Sequence, residues 1–203
     1  MKTKIIFATG NANKMREIRE ILGEDNYDIK SMKEAGIDCD IIENGSSFEE
    51  NSLIKAREVA KYTDDAIVLA DDSGLEIDAL NKEPGIYSAR YLGEDTPYDI
   101  KNANLIDRLE GVEKNDRSAR FVCAVSAVYP DKSEAVVRGT IEGYIGWEPM
   151  GDGGFGYDPI FYLWDRDVST ASLSPEDKNA ISHRGQALRK IKEEIINHEN
   201  IGR

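Results

Sequence analysis

The chain has 203 residues, 40% of them hydrophobic and 32% charged, with a formal net charge of −13. Apolar clusters recur along the whole length, which excludes a disordered chain, and the length suits one substantial core or two closely joined lobes. An acidic chain with no basic stripe is excluded as a binder of long nucleic acid, because counterion release needs clustered Lys and Arg, whereas a few converging cations still suffice for a small anion.

Lys2 and Lys4 precede Ile5-Ile6-Phe7-Ala8, an apolar run too short for a signal-peptide core, and no stretch approaches a membrane span. The expected location is therefore the cytoplasm. Residues 4–8 predict a strand that stops at Thr9-Gly10-Asn11, followed by a helix with Met15, Ile18, Ile21 and Leu22 on one face. Strand, glycine turn and helix open an α/β unit. Tyr27 to Ser31 predicts a second strand, and an acidic loop runs on to Gly45. Ser47 and Glu50 have capping-box spacing at the start of a helix whose Leu53, Ile54, Ala56, Val59 and Ala60 suit one buried side.

Ala66-Ile67-Val68-Leu69-Ala70 predicts a buried strand that ends at Asp71-Asp72-Ser73-Gly74. Residues 84–90 read as a loop and 98–109 as a helix. Residues 120–129 and 134–145 read as strands joined by Pro130-Asp131-Lys132-Ser133, a hairpin. Residues 151–156 form a glycine-rich loop leading into an extended run from Tyr157 to Tyr162, and a last helix covers 179–197. There is no repeat, low-complexity segment or linker, so residues 1–203 read as one mixed α/β domain. Cys39 and Cys123 lie far apart in no CxxC spacing and read as reduced thiols; Trp147 and Trp164 are placed in the core by default.

Four stretches can carry chemistry. In Thr9-Gly10-Asn11-Ala12-Asn13-Lys14, a glycine turn feeding a helix offers backbone N–H groups and a dipole to an anion, with Lys14 beside them. The GxxxxGK[ST] loop is absent, and the same local pattern also describes an ordinary βα turn. Asp71 and Asp72 repel one another at a sheet's carboxyl edge unless a cation or donors answer them, and hard ions such as Mg²⁺ favour such oxygens. A solvated turn fits the same four residues. Glu43, Glu49 and Glu50 lie in the preceding loop and helix start and can approach that edge. Residues 151–156 fit G-x-G-x-x-G, but a dinucleotide fingerprint needs a strand before and a helix after, so that reading fails and a loop bringing Phe155 to a flat ligand remains. Lys178 to Gly185 brings Lys178, His183 and Arg184 to the start of the last helix; ordinary surface charges describe each singly.

Thr9-Gly10-Asn11-x-x-Lys14, Ser47-Phe48-Glu49-Glu50-Asn51, residues 70–75, residues 84–91, Gly153-Gly154-Phe155-Gly156-Tyr157-Asp158-Pro159 and Ile181-Ser182-His183-Arg184-Gly185, in this order, resemble one family. It is the non-canonical purine nucleotide pyrophosphatases, also called XTP/dITP diphosphatases or inosine triphosphate pyrophosphatases. The resemblance runs from the first strand to the final helix. It implies a homodimer of elongated α/β subunits with a long mixed sheet and a substrate cleft between two lobes. It also implies Mg²⁺-dependent hydrolysis of ITP, dITP and XTP to monophosphate and pyrophosphate. Matched residue by residue, it puts Thr9, Gly10, Asn11, Ala12, Asn13 and Lys14 on the phosphates, Asp72 as general base, Glu43 and Asp72 on metal, and Ser73 on substrate. Phe155, Gly156, Tyr157, Asp158, Lys178, His183 and Arg184 match positions that hold base and phosphates, and Lys55 matches a lysine that reaches the nucleotide.

On this reading a cation near Asp72 keeps it ionised by lowering its pKa. A pocket that pairs with a 6-oxo purine leaves buried groups unpaired when adenine enters. The alternatives are a pyrophosphatase of different base preference and a nucleotide-binding sensor that does not cut.

Overall fold

Ile5, Ile6 and Phe7 are all buried in β1 (Thr3–Phe7), as expected of a strand covered on both faces. In the computed structural model, which describes residues 2–23 and 25–201, β1 has two parallel neighbours, β2 (Tyr27–Ser31) and β3 (Ile67–Ile77). Among the described residues the sheet has six strands, in the order β2-β1-β3-β4-β5-β6. The later strands are β4 (Ser118–Val128), β5 (Glu134–Ile145) and β6 (Phe161–Tyr162), the last two antiparallel. The fold is α/β with a mixed sheet. The hairpin between β4 and β5 is closed by the Tyr129 N–H donating to the Ser133 carbonyl (2.9 Å).

Helix α1 (Ala12–Leu22) turns Met15, Ile18 and Leu22 inward. Helix α2 (Phe48–Val59) starts at Ser47, whose hydroxyl accepts from the Glu50 N–H (3.1 Å). The Glu50 carboxylate answers one residue earlier than a capping box would, on the Ser46 N–H (2.6 Å). The remaining helices are α3 (Tyr98–Arg108), α4 (Pro175–Ile181) and α5 (His183–Ile201).

The chain divides into two compact units, Met1–Asp72 with Cys123–Gly139 and Arg184–Arg203, and Ser73–Val122 with Thr140–His183. In the first unit, Ile67 and Leu69 of β3 pack with Met15, Ile18 and Leu22 of α1 and with Ala187, Leu188 and Ile191 of α5. Val68 and Ala70, the alternate residues, pack with Ala56 and Val59 of α2. Strand side chains alternate between faces, so this strand has an α1/α5 side and an α2 side. The second unit has its own core, with Leu75 and Ile77 of β3, Leu105 of α3, Phe121 of β4 and Phe161 of β6.

Four expectations are corrected. β3 does not stop before Asp71 but runs on to Ile77. The run from Tyr157 to Tyr162 is not wholly extended: Pro159 sits in a 3₁₀ turn, Asp158–Ile160, which its fixed φ favours, and only Phe161–Tyr162 is strand. The last helix is two helices, because Ser182 is extended (φ −64°, ψ 154°) and interrupts the ladder. Pro175, behind the Ser174 cap, opens the first of them, so the helical segment begins earlier than expected. Trp147 and Trp164 are not core residues; they are 55% and 41% exposed.

Candidate functional site

Asp71 and Asp72 lie inside β3, beyond its last pairing with β1 at Leu69. Two consecutive strand residues must point to opposite faces, and their partners follow from that. Asp71 continues the series Ile67, Leu69 onto the α1/α5 side. It is 1% exposed, with Lys14 Nζ at 2.9 Å and Arg184 Nε at 3.4 Å from Oδ2. Burial opposes its charge, but Lys14, Arg184 and Lys55 together outweigh burial and hold the carboxyl below the usual range. Its Oδ1 is buried and has no hydrogen-bond partner among the described residues. Arg184 also donates to Glu17 Oε2 (2.5 Å), a buried carboxylate on α1. Burial works against the guanidinium charge, and Asp71 and Glu17 help to restore it. Cys123 lies 3.9 Å from Asp71; burial and then that carboxylate push its thiol up to about 12, which keeps it protonated and inert.

Asp72 continues Val68 and Ala70 onto the α2 side and is 8% exposed. Asn51 Nδ2 donates to Oδ2 (3.1 Å), and Lys55 Nζ lies 3.5 Å from Oδ1. The same ammonium donates to Glu43 Oε2 (3.0 Å). Burial raises the Asp72 pKa, Lys55 pulls it down, and Glu43 pushes it up again, leaving it above the ordinary value. This reverses the direction expected from a neighbouring cation alone: burial and a like charge outweigh that cation. Of the three candidate glutamates only Glu43 reaches this group. Glu49 pairs with Arg138 (3.0 Å), and Glu50 caps its own helix.

No group of three or more His, Cys, Asp or Glu side chains converges as a metal cage among the described residues. Glu43 and Asp72 are two carboxylates answered by one ammonium. That donor set fits Mg²⁺, which commonly takes one or two carboxylates and fills its other positions with waters and substrate phosphates.

The Thr9–Lys14 turn follows β1 directly. The Asn11 side chain caps α1, accepting from the N–H groups of Asn13 (3.0 Å) and Lys14 (3.2 Å), and Thr9 Oγ1 accepts from the Asn11 N–H (3.2 Å). Those three amides are already engaged by side-chain oxygens, so an anion must displace the cap or use Gly10, Ala12 and the Lys14 ammonium. A Cβ on Gly10 would meet no protein atom within 4 Å, and its φ is not left-handed. Neither packing nor backbone geometry within the protein asks for glycine at this exposed position; close approach of a ligand would.

In the second unit the glycines have a different cause. A Cβ on Gly153 would lie 2.7 Å from the Ala171 carbonyl oxygen, and one on Gly154 2.3 Å from Asp158 Oδ2. The loop is glycine-rich because it packs against its own chain. Asp158 holds it: Oδ2 accepts from the Phe155 N–H (2.8 Å) and from Lys178 Nζ (2.7 Å), and Oδ1 from Thr170 Oγ1 (2.8 Å). Lys178 Nζ sits 4.9 Å from the Phe155 ring centroid. The Gly156 carbonyl accepts from Asn102 (3.2 Å), and the Tyr157 hydroxyl donates to the Ser88 carbonyl (2.7 Å). His183 is buried and stacked on Phe121 at 4.8 Å. Ser73 follows Asp72 on β3, half-buried.

The sequence-predicted residues thus form two groups, each within one unit: Lys14, Glu43, Lys55, Asp72 and Arg184 with Asp71, and Phe155, Asp158 and Lys178. Sequence reasoning gave no role to Glu17, Asn51 and Thr170, which hydrogen-bond Arg184, Asp72 and Asp158. Glu17 flanks the apolar stripe of α1 beside Ile21, a weak local signal, and Thr170 has none. A glycine turn, buried carboxylates and answering cations beyond the β1–β3 pairing define an α/β protein with a cluster of charges at the end of its parallel strands.

More narrowly, the chain belongs to the Ham1 family, whose model matches residues 5–194. A Bacillus licheniformis protein named dITP/XTP pyrophosphatase is 49% identical, over 93% of this chain and 95% of its own. A Bacillus subtilis protein of the same name is 47% identical, over 94% and 96%. The structure of the Staphylococcus aureus Ham1 protein matches with a TM-score of 0.86 and 40% identity, covering 97% of this chain and 100% of that one.

Proposed function

We propose that the chain hydrolyses the deaminated purine nucleoside triphosphates dITP, ITP and XTP to the monophosphate and pyrophosphate. The family and the names of its relatives support the reaction. The observation that carries the mechanism is the division of the Asp pair between the two faces of β3. Asp71 pairs with Lys14 and Arg184, while Asp72 meets Asn51 and Lys55 of α2, whose ammonium also holds Glu43.

Asp72 takes the proton of a water that attacks the α-phosphorus; the bond from that phosphorus to the bridging oxygen breaks, and pyrophosphate leaves with the electron pair. Asp72 must be ionised to accept that proton, and the neighbouring Lys55 ammonium favours the ionised form. Lys14, Lys55 and the Gly10 turn face the phosphates and stabilise the charge that develops on them. Arg184 adds to this positive field. Glu43 and Asp72 would hold Mg²⁺, which when bound neutralises triphosphate charge. Phe155 offers its ring to the purine, and Asp158 acts by setting Phe155 and Lys178 rather than by a carboxylate of its own. Gly156, Tyr157, His183 and Ser73 belong to the substrate's surroundings.

We place the enzyme in the cytoplasm as a homodimer. The family resemblance supports this, and the exposed Trp147 and Trp164 are available to an interface. No helix among the described residues is long and apolar enough to cross a membrane.

The test is a panel of dITP, ITP, XTP, GTP, ATP and dUTP with Mg²⁺, scored for pyrophosphate against orthophosphate. Pyrophosphate as first product, with the deaminated purines fastest, is expected. Orthophosphate as first product would contradict attack at the α-phosphorus, and dUTP as best substrate would move the enzyme to another base class.

A further inference from the structure

Asn51 is fully buried (0% exposed) on α2, and both ends of its amide are used. Nδ2 donates to Asp72 Oδ2 at 3.1 Å, and Oδ1 accepts from the Gly45 N–H at 2.9 Å. The two bonds fix the amide's orientation: reversed, it would set an NH₂ against an N–H and an oxygen against a carboxylate. One turn further along the same helix face, Lys55 meets the other oxygen of Asp72, Oδ1, at 3.5 Å. A single helix therefore grips both oxygens of one carboxylate and sets its plane. The approach of the acidic loop depends on the same residue, because a Cβ on Gly45 would lie 2.8 Å from Asn51 Oδ1 and 2.8 Å from Glu50 Cβ.

We propose that Asn51 is a positioning residue for the hydrolysis: it sets the plane of the Asp72 carboxylate and ties it to the loop that carries Glu43. The proposal rests on the reading of Asp72 as general base. A carboxylate aimed at a water gains from a fixed plane, and small misplacements of a reacting group cost about 10²-fold in rate.

Asn51→Asp, nearly isosteric, keeps the acceptor for Gly45 and faces Asp72 with a second carboxylate in place of the amide donor. Asn51→Ala loses both. For each, kcat and KM on dITP are measured with the dissociation constant of an α,β-methylene analogue of ITP, and folding is followed by circular dichroism. Expected is a fall in kcat of about 10²-fold in both variants, with KM and the analogue's dissociation constant within about threefold of the parent in Asn51→Asp, which keeps the Gly45 bond.

The doubles with Asp72→Asn should be no slower than Asp72→Asn alone, because Asn51 acts through that carboxylate. The proposal is overturned if Asn51→Asp keeps the parental kcat, if rate and binding fall together, if the doubles lose activity additively, or if Asn51→Asp loses its native spectrum, which would make the residue structural. If Asp72→Asn itself keeps parental rates, the general-base reading fails first. If Asp72→Asn is inactive and Asn51→Asp is not, only the present proposal fails.

Discussion

Asp71 and Asp72 are chemically identical neighbours, and the one bond between them reverses their environments. Asp71 answers the half-buried Lys14 and the buried Arg184, so replacing it removes the countercharge they share and leaves Arg184 paired with Glu17. Breaking a buried pair of this kind costs about 3 to 5 kcal/mol. We expect Asp71→Asn to lower the melting temperature clearly. Asp72→Asn, in metal-free protein, removes a carboxylate whose charge burial and Glu43 disfavour. It should melt at the parental temperature or above, while turnover of dITP falls by several orders of magnitude. Parallel thermal melts in EDTA and Mg²⁺-supplemented rate assays decide this; an active Asp72→Asn would remove the base assignment, and an Asp71→Asn of parental stability would remove the ion-pair argument.

At the scale of elements, the glycine loop and the turn behind it are one unit of construction. The 3₁₀ turn Thr170–Ser172 supplies the Ala171 carbonyl that accepts from the Gly153 N–H (2.9 Å) and the Thr170 hydroxyl that donates to Asp158. Asp158 in turn holds Phe155 and Lys178. Thr170→Val keeps the shape and leaves a buried carboxylate oxygen short of its donor, a loss of about 1 to 3 kcal/mol. On the reading that Phe155 and Lys178 bind nucleotide, KM for dITP should rise about tenfold at nearly constant kcat, because each factor of ten is about 1.4 kcal/mol. Thr170→Ser, which restores the hydroxyl, should recover most of the affinity. A fall in kcat with unchanged KM would instead place the turn with the chemical step.

The whole molecule carries several carboxylates held below their usual range: Asp71 by Lys14 and Arg184 against its burial, Glu34 at about 2 by Arg19 and Ser31, and Asp78 by Arg120. For each, the unfolded chain binds a proton at a higher pH than the native chain does. Their stabilisation is present above the ordinary carboxylate pKa, about 4, and is lost as pH falls through that value toward the depressed native ones. Asp72 has the opposite sign. Its native form binds a proton first, so falling pH relieves it. The paired carboxylates outnumber it, and urea midpoints should be level above about pH 6 and drop steeply below about pH 4. The gap between parent and metal-free Asp72→Asn should narrow as pH falls; a widening gap would reverse the sign assigned to Asp72.

Much of this was legible in the chain itself. Short β-rich runs and the Pro130–Ser133 turn located β1, β2 and the β4–β5 hairpin, and a period near 3.6 located α1 and α2, because burial leaves a local trace in composition. The motif run singled out Asp71 and Asp72 but set them past the end of the strand that contains them. What the local pattern could not give was the continuation of β3 through two charges. An Asp-Asp-Ser-Gly stretch reads as a turn unless distant cations are known to answer it. Lys14, Lys55 and Arg184 come from α1, α2 and α5, and no spacing rule relates them. The break at Ser182 and the exposure of Trp147 and Trp164 were hidden for the same reason, since each depends on what packs nearby. By itself, then, the sequence determined the α/β class, the family and the carboxylate pair, all properties of residue type and short spacing. Only the tertiary structure decided which aspartate neutralises cations and which keeps a raised proton affinity, because a strand sends consecutive side chains to opposite faces and a different helix waits on each.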